Sequence, residues 1–473
     1  MLETIVERFA RLGYQLHPDA ARILSEQAVG EDLIEEIISS IDESKVVICP
    51  SDLSPLFAGK KERKREKEGS FRVLMDASDL RIIAEGEEGF VRRFCDRFEK
   101  LSRILQGRLN ARSIEGIKRI KRHDTGNIGV IGIVSEINRT QNGHTILELE
   151  DMTGRLPVLL MKDKINENIL LDEVIGVQGQ LTKDGSLLVA DRIIFPDVPS
   201  NFRPDYSKNG SFAVLISDIH AGNRTFLDGA WDRFIAWICG ELGSEREVGL
   251  SERVRYLVIA GDIVDGIGVY PNQEEELEVP DLMEQYRMVA ESLARIPERV
   301  KIIIAPGNHD AVRQADPQPR LPERIQDLFK EHENTVFVSN PALIELEGVS
   351  ILVYHGQSFD DLIMAIPGLT YDHPEDVMIE MLKRRHLSPI YGGKVPIVPS
   401  VIDSGVIEQI PDVLHCGHTH TVGVGRYRGV TVINAGAWQD QTEYQRKLNI
   451  KPTPGCAALL DLGRLDVNIL RFH

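Results

Sequence analysis

FAVLISDIH, residues 212–220, carries five consecutive apolar residues that break off into Ser217-Asp218-Ile219-His220. Alternate side chains of a strand point to opposite faces, so an unbroken apolar run of this length requires burial on both faces. The pattern recurs along the chain. Tyr256–Ala260 runs into Gly261-Asp262, and Val300–Ile304 into Gly307-Asn308-His309-Asp310. Ser350–Tyr354 runs into His355-Gly356, and Asp412–Leu414 leads to Gly417-His418-Thr419-His420. A sixth run, Val430–Ile433, ends at Asn434-Ala435-Gly436 without a ligand. Ligands of layered α/β proteins collect at the carboxyl ends of strands. Here five strand ends are expected to bring carboxylate, imidazole or carboxamide groups to one edge.

One histidine at a strand end is usually structural, and Asp-Ile-His or Gly-Asp alone says little. Gly-Asn-His-Asp and Gly-His-Thr-His are more specific. All five in this order, each after a buried strand, have no structural explanation, because burying so many ionisable groups without a metal is costly. The donor set of imidazole and oxygen, without cysteine, suits Mn²⁺, Fe²⁺ or Zn²⁺. Two such ions about 3.5–4 Å apart can clamp a phosphoryl group.

Working outward, Asn127 to Phe195 reads as five short strands: 128–137, 145–149, 156–161, 173–181 and 186–195. Turns fall at Asn142-Gly143, Thr153-Gly154 and Asp184-Gly185. That spacing predicts a small barrel of the OB type. It has no Phe, Tyr or Trp between Asn127 and Ile194 on which a base could stack, which favours a scaffold or docking barrel over a strand-binding one. Residues 1–45 read as a small helical docking module, and 46–115 as a charged linker and a helix. That helix spans 90–109, with Phe94, Phe98, Leu101 and Leu105 on its apolar side. The mixed-sign run from Gly59 to Gly69 is read as a solvated linker, with a basic patch for DNA as the alternative. The domain boundaries are therefore 1–45, 46–115, 116–200 for the barrel and 205–473 for the last domain.

The formal net charge of −18 excludes a protein that coats nucleic acid over its whole surface. Five cysteines, widely spaced and without a CxxC, exclude a disulfide framework or zinc knuckle and suit a reducing cytoplasm. No apolar run approaches the roughly 20 residues that cross a bilayer, and the amino terminus has no signal-peptide pattern. A cytoplasmic protein with no membrane partner is expected.

The order Asp-x-His, Gly-Asp, Gly-Asn-His-Asp, His and Gly-His-x-His resembles the calcineurin-like metallophosphoesterase superfamily, in particular its double-strand-break repair nuclease branch, over residues 211–440. The resemblance implies an α/β fold of four layers, α-β-β-α. It implies that Asp218, His220 and His420 hold one metal, that Asn308, His355 and His418 hold a second, and that Asp262 bridges them. His309 would face the scissile phosphate rather than a metal, with Asp310 orienting its ring. Two divalent ions are implied, Mn²⁺ first, with Fe²⁺, Zn²⁺ or Mg²⁺ compatible.

The whole layout (helical module, charged linker, barrel, phosphoesterase) is similar to the small-subunit family of archaeal family-D DNA polymerases, also called DNA polymerase II. The run from Lys383 to Gly393 is similar too. Eukaryotic replicative polymerase B-subunits share the layout but have typically lost the metal ligands, which are complete here. This resemblance implies a 3′-to-5′ proofreading exodeoxyribonuclease in DNA replication. It also implies a large polymerase subunit as partner, in a heterodimer or higher assembly, and a single-stranded 3′ end as substrate. A stand-alone phosphatase or phosphodiesterase, and a mainly structural subunit, are the alternatives. Lys383, Arg384, Arg385 and Tyr391 are the expected DNA contacts, the cations meeting phosphates and the ring stacking on a base. The plain alternative is a helix end, where cations face the dipole. His17, His123, His144, His332, His373 and His415 are read as structural.

Overall fold

The computed structural model describes residues 70–82, 87–118, 127–447 and 449–473, with positions 9, 15–17, 20, 24, 47 and 48 of the leading segment. The helical module expected over 1–45 and the linker expected over 59–69 otherwise lie outside the described residues. Two compact units divide at Gly69/Ser70. In the first, Gln15–Leu16 pairs in parallel with Val47–Ile48. The second, Ser70–His473, carries two large sheets and a barrel.

Two six-stranded sheets form its body. The first runs Thr335–Phe337, Lys301–Ala305, Val254–Ala260, Phe212–Ile216, Cys456–Asp461, Val467–Arg471, with its first four strands parallel. The second runs Gly423–Tyr427, Val430–Asn434, Val413–Cys416, Val349–Val353, Ala342–Leu346, Phe71–Asp76. Only Val349–Val353, Val413–Cys416 and Val430–Asn434 are mutually parallel there. The alternation expected from the apolar runs is explicit. Phe212, Val214 and Ile216 pack with helices Asp228–Ile238 and Leu282–Ala294. Ala213 and Leu215 enter a separate core shared with Ile344, Ile351, Val353 and Val413 of the second sheet. Leu352, Leu414 and Val432 point the other way, onto helices Phe359–Ala365 and Pro374–Arg384. Each strand of these runs is thus buried on both faces, which removes any room for polar side chains until the run ends. His415, read as structural, sits within this body with Nε2 3.2 Å from the Ile216 carbonyl and Nδ1 3.4 Å from that of Ile433.

Residues 127–194 form a closed five-stranded barrel. Asn127–Arg139 pairs with both Thr145–Asp151 and Val174–Leu181, and Gly154–Leu160 meets Leu188–Ile194 to complete the ring. Alternating residues such as Val130, Leu147, Val158 and Val177 fill it.

Between positions 46 and 115 the structure departs from a linker plus helix. Phe71–Asp76 is an edge strand of the second sheet, antiparallel to Ala342–Leu346. Its alternation is blurred because four of its six residues are exposed. The helix spans Glu88–Gln106 and buries Arg93, Arg97, Leu101 and Leu105. The expected apolar side is correct for Leu101 and Leu105. Phe98 packs half-buried against the same core, whereas Phe94 turns to Tyr391, because two arginines on the flank reach Asp403. Arg93 Nη2 lies 2.9 Å and Arg97 Nε 2.7 Å from that carboxylate, all three side chains being at most 1% exposed. Burial would push Asp403 up, but Arg93 and Arg97 outweigh it and hold the carboxyl well below its ordinary range. Among the described residues no helix is long and apolar enough to cross a membrane.

Candidate metal centre

The candidate ligands lie just beyond strands of both sheets. Asp218 and His220 follow Phe212–Ile216, Asp262 follows Val254–Ala260, and Asn308 follows Lys301–Ala305. His355 follows Val349–Val353, and His418 and His420 follow Val413–Cys416. The chain bends sharply at these ends. Asp218, His220, Asp262, His418 and His420 all have φ between 51° and 70°. Left-handed backbone at non-glycine residues costs on the order of 1 kcal/mol or more each and gathers where function demands a geometry. Glycines make the close approach possible. A Cβ on Gly307 would lie 2.2 Å from Asp262 Oδ1, and one on Gly417 2.4 Å from Asp218 Oδ2.

The side chains converge. His220 Nε2 and His420 Nε2 are 3.1 Å apart. His420 Nε2 is 3.5 Å from Asp218 Oδ1, and His220 Nε2 3.7 Å from Asp262 Oδ2. On the other side, His355 Nε2 lies 3.2 Å from Asp262 Oδ2 and 3.0 Å from Asn308 Oδ1. His418 Nδ1 lies 3.1 Å from the same Asn308 oxygen. Asp262 stands between the two groups. Asp218, His220, Asp262, His355 and His420 are buried, whereas Asn308, His309 and His418 are half-buried.

The outward nitrogens of two rings fix which nitrogen faces in. His355 Nδ1 donates to the Ala260 carbonyl at 2.8 Å, and His220 Nδ1 is 3.2 Å from Asp265 Oδ1. Each ring therefore turns Nε2 inward, the nitrogen that a metal-binding imidazole would use. Burial opposes charge on His355, but the facing Asp262 outweighs it and lifts the imidazole to about 10. Burial likewise opposes charge on Asp262, yet His355 and His309 hold that carboxyl far below its usual range. His420 is driven down by burial and by neighbouring His220. Two inward imidazole nitrogens 3.1 Å apart, beside two buried carboxylates, make a donor set that fits a cation. Among the described residues, Asp218, His220 and His420 form one group able to hold a metal ion, and Asp218, Asp262 and His355 another.

His309 enters a third such group with His220 and Asp262. Its Nδ1 donates to the Asp265 carbonyl at 2.7 Å, and its backbone N–H to Asp262 Oδ1 at 2.8 Å. Burial keeps this imidazole below its ordinary range. The ring is held by Asp265, which corrects the expectation that Asp310 orients it. Asp310 is turned inward, where its carboxylate accepts from Gly307 N at 2.8 Å, Ile263 N at 3.3 Å and Tyr286 Oη at 2.9 Å. It ties the Gly307–Asp310 turn to the Asp262 turn. Burial, then Asp262, lifts it to about 7.

Four supporting residues were missed in the sequence. Asp265 holds both His220 and His309, and buried Gln273 bonds the Asp265 carboxylate at 2.9 Å and carbonyl at 2.6 Å. Asp360 Oδ1 is 3.7 Å from His418 Nε2, and Gln445 Nε2 2.9 Å from His420 Nδ1. Asp265, three residues after Asp262, was the one with a visible signal. Gln445 lies 25 residues from its partner and left none.

The expected DNA contacts do not join the site. Arg384 and Arg385 are 2% and 3% exposed, which corrects their assignment to phosphates. Arg384 Nε pairs with barrel residue Glu173 at 2.8 Å, and Arg385 Nε donates to the Ile407 carbonyl at 2.6 Å. Lys383 lies 3.0 Å from Glu167 and over the Phe195 ring. These cations seat the barrel against the two-sheet body. Tyr391 is exposed, with its ring 5.3 Å from Phe90 and 5.6 Å from Phe94.

Fold and site together define a mixed α/β protein with a closed barrel and a buried His/Asp cluster able to hold metal. The family model for the B-subunit of DNA polymerases alpha and epsilon matches residues 228–422. The DNA polymerase II small subunit of Archaeoglobus fulgidus is 42% identical, over 99% of this chain and 98% of that protein. That of Methanothermobacter thermautotrophicus is 37% identical, over 98% of both. The chain belongs to the family of archaeal DNA polymerase II small subunits. A solved archaeal phosphodiesterase aligns with 55% of this chain and 98% of its own at 16% identity, but with a TM-score of 0.28 that informs nothing further.

Proposed function

We propose that this chain is the exonuclease-bearing subunit of a DNA polymerase, removing nucleotides from a single-stranded 3′ end in partnership with a large catalytic subunit. The two-sheet body would be a calcineurin-like phosphoesterase domain of four layers, α-β-β-α, over 205–473, and the barrel over 116–200 an OB fold. The observation that carries the reading is the convergence of Asp218, His220, Asp262, Asn308, His355, His418 and His420 from the ends of strands in both sheets.

Asp218, His220 and His420 would hold one divalent ion, and Asn308, His355 and His418 the other, with Asp262 shared. Mn²⁺, Fe²⁺ and Zn²⁺ suit this mixed imidazole and oxygen set, and Mn²⁺ is the ion proposed. Bound there, the pair would supply positive charge for the phosphodiester oxygens and acidity for attacking water. The chain's residues do the rest. His309, fixed at Nδ1 by the Asp265 carbonyl, leaves Nε2 free of that bond, and there it would bind the scissile phosphate and pass a proton to the departing 3′-oxygen. Asp310 and Tyr286 keep the turn that carries it rigid.

The test is digestion of 5′-labelled single-stranded DNA with Mn²⁺, beside Asp262→Asn. Stepwise shortening from the 3′ end, absent in the variant, is expected. Faster turnover of a p-nitrophenyl phosphate ester than of DNA would instead favour a small-molecule phosphatase. No cleavage with or without the large subunit would leave a structural subunit.

A further inference from the structure

We infer that Tyr270 is a base-binding residue of the cleavage site, its ring taking the unpaired base of the last-but-one nucleotide, the one whose 3′-oxygen departs. This rests on the exonuclease reading above. Tyr270 lies on the loop that follows Asp262, and its ring meets that of His309 with centroids 6.1 Å apart. A proton donor to the departing oxygen has the nucleoside that carries this oxygen as its neighbour on the substrate. Tyr270 touches His309 and is only half-buried, which places it to meet that nucleoside. The loop holds the ring still. Gly266 packs so closely on the His309 turn that a Cβ there would lie 2.3 Å from the His309 carbonyl oxygen. Gln285 and Gln273, both fully buried, tie the loop down. Gln285 accepts from Gly266 N at 2.9 Å and donates to the Val279 carbonyl at 2.8 Å. Gln273 accepts from Val269 N at 2.9 Å and donates to the Asp265 carboxylate and carbonyl. The Tyr270 hydroxyl donates to Glu276 at 3.0 Å. The arm that carries Glu276 is bridged, Leu277 to Asn223, to the turn after His220. A ring fixed in advance costs little ordering when a base settles on it.

The surroundings favour a base over a phosphate. The loop tip is apolar, with Ile267 50% exposed. The arm that follows exposes Glu274, Glu275 and Glu278, whose charge repels a phosphate backbone. A strand is therefore turned with its backbone away from the arm and its base toward the ring, where stacking serves any base. The barrel carries no aromatic residue between Asn127 and Ile194, and Tyr391 packs on Phe90 and Phe94. A base still paired in a duplex cannot reach Tyr270, so cleavage would require the last two nucleotides of the strand to be unpaired.

The test uses the full chain with the large subunit, Mn²⁺ and 5′-labelled single strands. The last-but-one position carries either a nucleotide or a tetrahydrofuran abasic residue, and a second pair of strands places the same change at the terminal position. The parent should lose kcat/KM by about tenfold or more when the last-but-one base is missing, mostly through KM, because stacking on the ring is lost. In Tyr270→Leu that penalty should shrink to within about twofold, and Tyr270→Phe, which keeps the ring, should restore it. A Tyr270→Leu chain that cleaves every strand more slowly but keeps the parent's penalty would show a ring that acts only through His309. That result would overturn the inference and leave the exonuclease reading standing. A parent penalty that falls on the terminal base instead, or on neither, would overturn the assignment to the last-but-one nucleotide. Shortening of no strand by the parent would overturn the exonuclease reading and this inference with it.

Discussion

Around Asp403, Arg93 and Arg97 close on a buried carboxylate with His386 3.0 Å away. Around Asp262, buried carboxylates and imidazoles crowd together, and among the described residues the ion pairs of Asp218 and Asp262 are to histidines. Both clusters pay for desolvation, and they differ in what answers the charge. The Asp403 cluster carries its own counter-charges on a helix with relaxed backbone, and burial together with Arg97 pushes His386 down to about 4, which leaves the pair of arginines to the carboxylate. The Asp262 cluster aims imidazole nitrogens and carboxylates at a common point on left-handed backbone. Buried polar groups whose partners are present hold a fold together, while groups held in strain and aimed at a common point await something that binds them. The same contrast explains Arg384 and Arg385, whose sequence run looked like a nucleic-acid contact and whose side chains are engaged by Glu173 and backbone carbonyls.

The comparison breaks first at Asp262. Asp262→Asn should lower exonuclease turnover by about a thousandfold or more, on the order of 4 kcal/mol of transition-state stabilisation, with an unchanged melting profile of the folded chain. A variant that cleaves within tenfold of the parent would remove the shared carboxylate from the proposal. His309→Ala should cost roughly a hundredfold to a thousandfold while metal content, measured by plasma mass spectrometry, stays that of the parent. Loss of metal instead would make His309 a ligand, as its grouping with His220 and Asp262 allows.

At the other cluster the readout is stability. Asp403→Asn leaves two buried guanidinium groups unpaired and should destabilise by about 3–5 kcal/mol, seen in urea unfolding. Asp403 is depressed in the folded chain, so its contribution is fully present above the ordinary carboxylate range and is lost as pH falls through the lower folded value. The gap between parent and variant should hold from pH 7 to about 4 and close only below that. A gap that closes near pH 6 would contradict the depressed carboxyl. The smallest effect is expected at Lys383→Ala. Single-stranded DNA affinity should change by less than about twofold, with the same salt dependence, because a cation already paired with Glu167 releases few counterions.

The legible part of this protein was whatever strand periodicity and short spacing could write. Unbroken apolar runs announced strands buried on both faces, and the barrel strands were read within a few residues because their turns carry Asn-Gly, Thr-Gly and Asp-Gly. Helix Glu88–Gln106 was found with much of its apolar side, but the burial of Arg93 and Arg97 was not. Hydrophobic spacing assumes that charges point outward, and Asp403, some 300 residues on, reverses that for Arg93 and Arg97. Phe71–Asp76 escaped because an edge strand with exposed residues shows little alternation.

By itself the sequence determined which residues stand at strand ends and hence the proposed donor set, because a residue that follows a fully buried run comes out at the edge of the sheet. It could not say that these edges belong to two sheets that share one core, which places His355, His418 and His420 opposite Asp218, Asp262 and Asn308. Nor could it distinguish a cation that meets solvent from one that meets a carboxylate far along the chain. Those choices depend on contacts between distant segments, and only the packed structure brings such segments together.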